Sequence, residues 1–154
     1  MSDIIFRTAR LTDLPEIVGL LADDPLGSQR ETVSSPVDER YVAAFKAIDV
    51  DPNQRLVVAT DAEAVIGTLQ LSFIPGIARR GAWRGQIEAV RIAAPFRSTG
   101  IGQQLFEWAI SECKSRGCQL VQLTTDKGRP DAHRFYEKLG FVASHEGYKL
   151  QLAG

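Results

Sequence analysis

The spacing of hydrophobic side chains changes repeatedly along the chain, and each spacing predicts a different element. Alternation of apolar and polar residues is typical of strands, whereas apolar residues three and four positions apart are typical of helices. By alternation we expect strands near residues 4–9, 56–60, 65–73, 87–93, 118–124, 141–142 and 148–152. By helical spacing we expect helices near residues 14–21, 41–48, 103–116 and 131–139.

Turn-forming and capping residues separate these segments. Thr12 or Asp13 is a suitable cap for the first helix, which has Pro15 in its first turn. Gly140 follows the last helix, at the position where a left-handed residue commonly ends one. The polar connections lie at residues 23–36, 61–63 and 75–85, of which the second joins two strands as a hairpin.

The order of the predicted elements indicates the fold class. Strand–helix–strand units joined to an antiparallel meander predict an α/β fold, in detail an α+β mixed sheet of about seven strands with helices on both faces. The chain has 154 residues, which is the size of one ordinary domain. We therefore expect a single domain over residues 1–154.

Composition and charge exclude some classes of partner. The chain carries 18 basic and 19 acidic residues, and this balance favours neither nucleic acid nor an anionic membrane as a partner. Its start lacks the pattern of a signal peptide, and no apolar run approaches membrane-spanning length. We expect a cytoplasmic protein. Cys113 and Cys118 flank a tight turn, and we expect two buried thiols rather than a disulfide.

The segment Arg97-Ser98-Thr99-Gly100-Ile101-Gly102 lies between a predicted strand and a predicted helix. A glycine turn that opens a helix directs unpaired backbone N–H groups and the positive end of the helix dipole at one point, which suits a phosphate. Two nucleotide-binding fingerprints fail here. No lysine follows Gly102, as a P-loop requires, and Leu105 stands where a dinucleotide fingerprint needs its third glycine.

Two segments together carry a family resemblance. The Arg-x-x-Gly-x-Gly segment follows Val90, Ile92 and Phe96, and residues 132–141 read Ala-His-Arg-Phe-Tyr-Glu-Lys-Leu-Gly-Phe. In this order, with a helix and a strand between them, they resemble the GCN5-related N-acetyltransferase (GNAT) superfamily. The resemblance extends across nearly the whole chain. It implies a protein that uses acetyl-CoA as co-substrate, with no metal ion.

The resemblance implies which residues contact the cofactor. The backbone amides of residues 98–103 would hold the pyrophosphate, with Arg97 adding a cation, and the pantetheine arm would lie along Val90, Arg91 and Ile92. His133 is a further possible base or cofactor contact, and Arg129 stands where many relatives have a cofactor-binding asparagine. The complete expected set is Val90, Arg91, Ile92, Arg97, Ser98, Thr99, Gly100, Ile101, Gly102, Gln103, Arg129 and His133.

Acetyl transfer to an amine needs an acid for the leaving thiolate and a base for the amine. Tyr136 occupies the position where the family commonly has a tyrosine as general acid, although it could instead be one more packed aromatic. Glu88 is the candidate base, because strand alternation would put it on one face with Val90 and Ile92, near the pantetheine. It could instead pair with Arg84.

The acceptor stays open at the level of sequence. Acidic residues in one loop would attract a cationic amine, whereas basic residues in another would attract an anionic group on the acceptor. These residues are Asp23, Asp24 and Glu31 in the first loop and Arg79, Arg80 and Arg84 in the second. An amine-bearing small molecule or a protein amino group is expected, and the alternative is a non-catalytic acyl-CoA-binding or regulatory module. A homodimer through the terminal hairpin is a further possibility, because exposed edge strands pair readily.

Overall fold

A computed structural model describes residues 3–127 and 130–153 of the chain. The chain divides into a first unit, Met1–Gln122, and a second unit, Leu123–Gly154. The expectation of a single domain stays a prediction. Among the described helices, none has the length and apolar character needed to cross a bilayer.

The first unit contains one mixed sheet in the order β1-β2-β3-β4-β5. The first four strands pair antiparallel, and β5 runs parallel to β4. The strands are β1 Ile4–Thr8, β2 Gln54–Asp61, β3 Ala64–Pro75, β4 Trp83–Ile92 and β5 Leu120–Gln122. The helices are α1 Leu14–Ala22, α2 Gly27–Arg30, α3 Glu39–Asp49, α4 Ala78–Gly81 and α5 Ile101–Ser115 in the first unit and α6 Pro130–Lys138 in the second. The mixed α/β class is confirmed.

Helices cover both faces of this sheet, as the sequence predicts. Consecutive side chains of a strand point to opposite faces of its sheet. Val58 and Ala59 of β2 therefore contact different layers of helices. Val58 packs in one buried cluster with Leu14 of α1 and Phe45 of α3. Ala59 packs in another with Ile101 of α5. We call these the α1/α3 face and the α5 face.

The strand count and the terminal hairpin are the main corrections to the predicted fold. Five strands are found among the described residues, and residues 141–153 contain none. The apolar side chains of that segment are largely exposed, including Tyr148 at 90% and Leu152 at 92%. Alternation alone does not make a strand, because a two-stranded hairpin needs a further strand or helix to cover its apolar face. A homodimer through this segment stays a prediction.

Two connections contain short helical turns that their polar composition does not predict. The segment after α1 includes the single turn α2, and the segment after β3 includes the short turn α4, in which Arg79 and Arg80 have φ values of 56° and 61°. β4 begins at Trp83, four residues before the predicted strand, because its first residues pair with the end of β3. The polar hairpin corner is confirmed, with Ala62 and Glu63 in left-handed conformations.

Candidate functional site

A β-bulge interrupts β4 in the middle of the site. Gln70 of β3 pairs with Glu88 and Thr68 pairs with Arg91, so the two β4 residues between them face a single residue of β3. Ala89 lies within the bulge and has a φ of 55°, in the left-handed region. Bulges of this kind redirect the side chains that follow them and are frequent beside active sites.

The bulge changes which β4 side chains share a face. Because Thr68 and Gln70 are two residues apart, their partners Arg91 and Glu88 lie on the same face of the sheet. Thr68 also pairs with Val58, which identifies this as the α1/α3 face. The expectation that Glu88 shares a face with Val90 and Ile92 is therefore wrong.

Glu88 is exposed rather than enclosed by apolar neighbours. The alternative pairing with Arg84 is also wrong, since no ion pair joins the two side chains within the described residues. The Glu88 carboxylate is therefore accessible to a molecule that approaches the α1/α3 face.

The sheet opens between β4 and β5. β5 has three residues, which pair with Arg84, Gly85 and Gln86 at the beginning of β4. The rest of β4, residues 87–92, has β3 as its one strand neighbour within the described residues. The opposite edge of this stretch therefore presents backbone groups to which an extended, amide-containing ligand can add like another strand.

The loop that follows β4 directs backbone donors outward. The first backbone hydrogen bond of α5 runs from the N–H of Gln104 to the carbonyl of Gly100 at 3.1 Å. The N–H groups of residues 101–103 therefore precede the helical ladder and point away from the helix. Ser98 and Gly100 have φ values of 63° and 90°, which turn the chain sharply into α5. A Cβ placed on Gly100 would meet no atom within 4 Å, so the space beside this residue of the loop is open.

Arg97 connects this loop to the end of α1. Its Nε donates to the carbonyl of Ile92 at 3.1 Å, and its Nη2 donates to the carbonyl and the carboxylate of Asp23 at 3.3 and 3.4 Å. Both side chains are about half exposed, at 49% and 59%. An anion at this loop would therefore share the guanidinium with Asp23.

Arg91 makes a second, more buried link to the same segment. Its Nε lies 3.2 Å from Oδ2 of Asp24, and its Nη1 donates to the carbonyl of Val90 at 2.8 Å. The two side chains are 15% and 17% exposed. Sequence reasoning assigned Asp23 and Asp24 to attracting an amine and missed both arginine partners. No local signal in the sequence pairs these residues.

The basic residues before β4 lie far from this loop. Arg79 and Arg80 precede the start of β4, whereas Arg97 follows its end, and the strand between them has 10 residues. At roughly 3.3 Å per residue this is a separation of about 30 Å. These arginines therefore belong to the other end of the sheet.

The two cysteines are free thiols, as the sequence predicts, and Cys113 is buried. Cys118 is only partly buried, so the expectation of two buried thiols is wrong for this residue. A Cβ on Gly85 would overlap the Cys113 sulfur, so the strand and the helix are in close contact there. Burial raises the pKa of Cys113 to about 11. A thiol of this kind is a poor nucleophile at neutral pH, since the thiolate is the reactive form.

The second unit carries the remaining predicted site residues. The Tyr136 ring lies edge-on to Phe135 and Phe141, with ring centroids 5.7 and 6.2 Å apart. His133 is partly buried, and its Nε2 lies 3.3 Å from the carbonyl of Asp126. Arg129 lies outside the described residues. The roles of these residues stay predictions.

Comparisons with known proteins show which proteins this chain resembles. Residues 18–141 match the model of the Acetyltransferase (GNAT) family. An aminoalkylphosphonate N-acetyltransferase from Salmonella typhimurium is 35% identical over 101 residues, which cover 66% of this chain and 65% of that protein. A glucosamine 6-phosphate N-acetyltransferase from Trypanosoma brucei brucei is 34% identical over 89 residues, covering 57% and 58%. The chain thus matches less than two thirds of the length of either relative.

A solved structure matches over a longer range. The crystal structure of a transcriptional regulator from Bacillus halodurans C-125 has a TM-score of 0.94 and 50% sequence identity to this chain. The match covers 97% of this chain and 99% of that one.

Proposed function

Because the chain belongs to the acetyltransferase (GNAT) family, we propose that it is an N-acetyltransferase, which moves the acetyl group of acetyl-CoA to a primary amine by direct attack in a ternary complex. The observation that carries this proposal is the open edge of β4 over residues 87–92, which leads directly into the outward N–H groups at the start of α5. An extended amide chain and a diphosphate need these two features in this order.

In this proposal the donor is held mainly by the backbone. The pantetheine amides pair with the edge of β4 at Val90, Arg91 and Ile92, and the pyrophosphate accepts from the N–H groups of residues 98–103. Arg91 contributes through its backbone alone, because its guanidinium is paired with Asp24. The Arg97 guanidinium joins the diphosphate only by giving up part of its contact with Asp23.

The chemistry requires one proton to leave the amine and another to reach the thiolate. The amine nitrogen forms a bond to the acetyl carbon, and the carbon–sulfur bond then breaks. Glu88 takes a proton from the attacking amine, and Tyr136 gives a proton to the departing sulfur. A backbone N–H on the open edge of β4 stabilises the oxyanion that forms between these steps.

The names of the two relatives support a class of acceptor to test first. Both are named for amines that carry an acidic phosphorus group, a phosphonate in one and a phosphate ester in the other. A small amine with such a group is the first acceptor to test, and a protein amino group is the second. Arg30 on α2 is an exposed cation in the segment next to Asp24 and could contact the anionic group of a small acceptor.

The alternative is a non-catalytic acyl-CoA-binding or regulatory module. It is favoured by the similarity to the Bacillus halodurans protein, which is named a transcriptional regulator. Both functions predict that acetyl-CoA binds, but only catalysis predicts that free CoA is released when an amine is present.

The test measures binding and turnover separately. Acetyl-CoA should raise the melting temperature of the parent protein, and Gly100→Trp should abolish this shift by placing a bulky side chain in the loop proposed to hold the pyrophosphate. Release of the CoA thiol is then followed with an aminoalkylphosphonate, glucosamine 6-phosphate and a peptide with a free N-terminus. Tyr136→Phe and Glu88→Gln should each lower kcat by about 100-fold or more. A melting shift without thiol release would favour the regulatory module, and no shift would refute the cofactor.

A further inference from the structure

The carboxylate of Asp24 joins two parts of the first unit. Its Oδ2 lies 3.2 Å from Nε of Arg91 on β4, and its Oδ1 accepts a hydrogen bond from the backbone N–H of Gly27. The carbonyl of Asp24 also accepts from the N–H of Ser28 at 2.9 Å. One residue therefore shapes the α2 turn and ties that turn to the sheet.

The turn beneath this carboxylate is tightly packed. Gly27 is buried, and a Cβ at this position would overlap the carbonyl oxygen of Leu21 at the end of α1. The Asp24–Arg91 pair is itself mostly buried, at 17% and 15% exposure. Loss of one partner of a mostly buried ion pair is destabilising, so such a substitution should loosen this connection.

The other end of the same segment is also held. The Tyr41 hydroxyl on α3 donates to Oε1 of Glu31 at 2.9 Å, and it accepts from the N–H of Thr32 at 2.9 Å. Residues 24–31 are thus attached to β4 at one end and to α3 at the other. We call this stretch the α2 segment.

The attachment point on β4 lies beside the proposed base. Because of the bulge, Arg91 and Glu88 point to the same α1/α3 face and are separated by three positions in the chain. The α2 segment is therefore attached to the face of β4 on which Glu88 lies. The donor, in contrast, is proposed to use the strand edge and the start of α5.

We propose that Asp24 is a positioning residue for the acceptor: by pairing with Arg91, it holds the α2 segment against β4 beside Glu88 without contacting the acetyl donor. This inference rests on the proposed N-acetyltransferase function. It requires that loss of the pair weakens the use of the acceptor much more than the binding of acetyl-CoA.

The kinetic experiment compares Asp24→Asn, Arg91→Gln and the double variant with the parent. Asp24→Asn should raise the KM for the acceptor by about tenfold to 100-fold, since small displacements of positioning groups have effects of this size, and the KM for acetyl-CoA should stay within about twofold. The double variant should recover part of the loss, because it removes both charges of the pair rather than one. Glu112→Gln is the matched control: it breaks a half-buried pair with Arg55, 2.8 Å long, and Glu112 lies on α5.

A second readout does not need turnover. Hydrogen exchange measured by mass spectrometry should become faster in peptides that cover residues 24–31 in Asp24→Asn, and it should stay unchanged there in Glu112→Gln. Unchanged exchange in Asp24→Asn, or equal increases in both KM values, would overturn the positioning role. Faster exchange in Asp24→Asn, with no acetyl transfer by the parent to any amine, would reject the proposed function and with it the acceptor role of Asp24, while supporting only the attachment of the α2 segment to β4.

Discussion

Asp23→Asn should strengthen the binding of CoA. In the structure, Nη2 of Arg97 donates to both the carbonyl and the carboxylate of Asp23, at the loop proposed to hold the pyrophosphate. A bound diphosphate therefore competes with this carboxylate for the guanidinium. The substitution removes the charged competitor, while the backbone carbonyl and the Ile92 contact of Arg97 stay in place.

The exposure of the Arg97–Asp23 pair determines how much the affinity for CoA should change. The carboxylate lies 3.4 Å from Nη2, and the two side chains are 49% and 59% exposed. Exposed ion pairs contribute about 0.2–1 kcal/mol. If all of this energy is recovered on binding, the Kd for CoA falls by a factor of about 1.4 to 5. Less repulsion between Asp23 and the diphosphate would act in the same direction.

Isothermal titration calorimetry of CoA binding measures this change directly. The titration should be run at low ionic strength and again at 1 M salt, where the screening length is only about 3 Å. The gain in affinity should be largest at low salt and should shrink at high salt. Glu16→Gln is the control, because Glu16 is an exposed residue of α1, the helix that Asp23 follows, and its replacement changes the net charge equally.

Two outcomes would refute this reasoning. If Asp23→Asn and Glu16→Gln change the Kd for CoA equally, net charge rather than the Arg97 contact controls affinity. If Asp23→Asn weakens binding, the contact with Asp23 positions Arg97 for the diphosphate and does not compete with it.

Three further predictions concern stability and reactivity. Gly100→Ala should lower the free energy of unfolding in urea by about 1–2 kcal/mol, because alanine is strained at a φ of 90°, whereas Gly19→Ala in α1 should raise it by about 0.5–1 kcal/mol. The hydrogen bonds from Arg7 lower the pKa of Asp13. The stabilisation that they provide is therefore complete above the unfolded-state pKa of about 3.9 and is lost as the pH falls through the lower pKa of the folded state. Asp13→Asn should flatten the acid side of a plot of melting temperature against pH, and an unchanged acid side would contradict this. Burial raises the pKa of Cys113 to about 11, so iodoacetamide at pH 8 should label it only after unfolding, and labelling of the folded protein would refute this.

Elements with a local signal were predictable from the sequence. α1 spans Leu14–Ala22 with Asp13 at its N-cap position and proline in its first turn, and α5 spans Ile101–Ser115, close to the predicted bounds. Gly140 is left-handed after α6, as its position suggested. Periodicity, caps and glycine conformations depend on neighbouring residues, which is why they can be read from a short window of sequence.

The faces of β4 were not predictable in this way. Glu88 was assigned to a face by simple alternation, but the extra residue in the bulge shifts every side chain after it. That shift is defined by the pairing of Glu88 and Arg91 with β3. The predicted terminal strands were wrong for a related reason, since alternation describes the ability of a segment to pair and not the presence of a partner.

The sequence by itself determined the class of the fold and the loop from Arg97 to Gly102, because glycines and outward N–H groups at the start of a helix are local properties. Only the tertiary structure decided what surrounds that loop. Arg97 meets Asp23 across 74 positions of the chain, and Arg91 meets Asp24 through the packing of α1 and α2 on the sheet. Such contacts depend on how distant segments pack in three dimensions, and neither the spacing nor the identity of the charged residues reveals them.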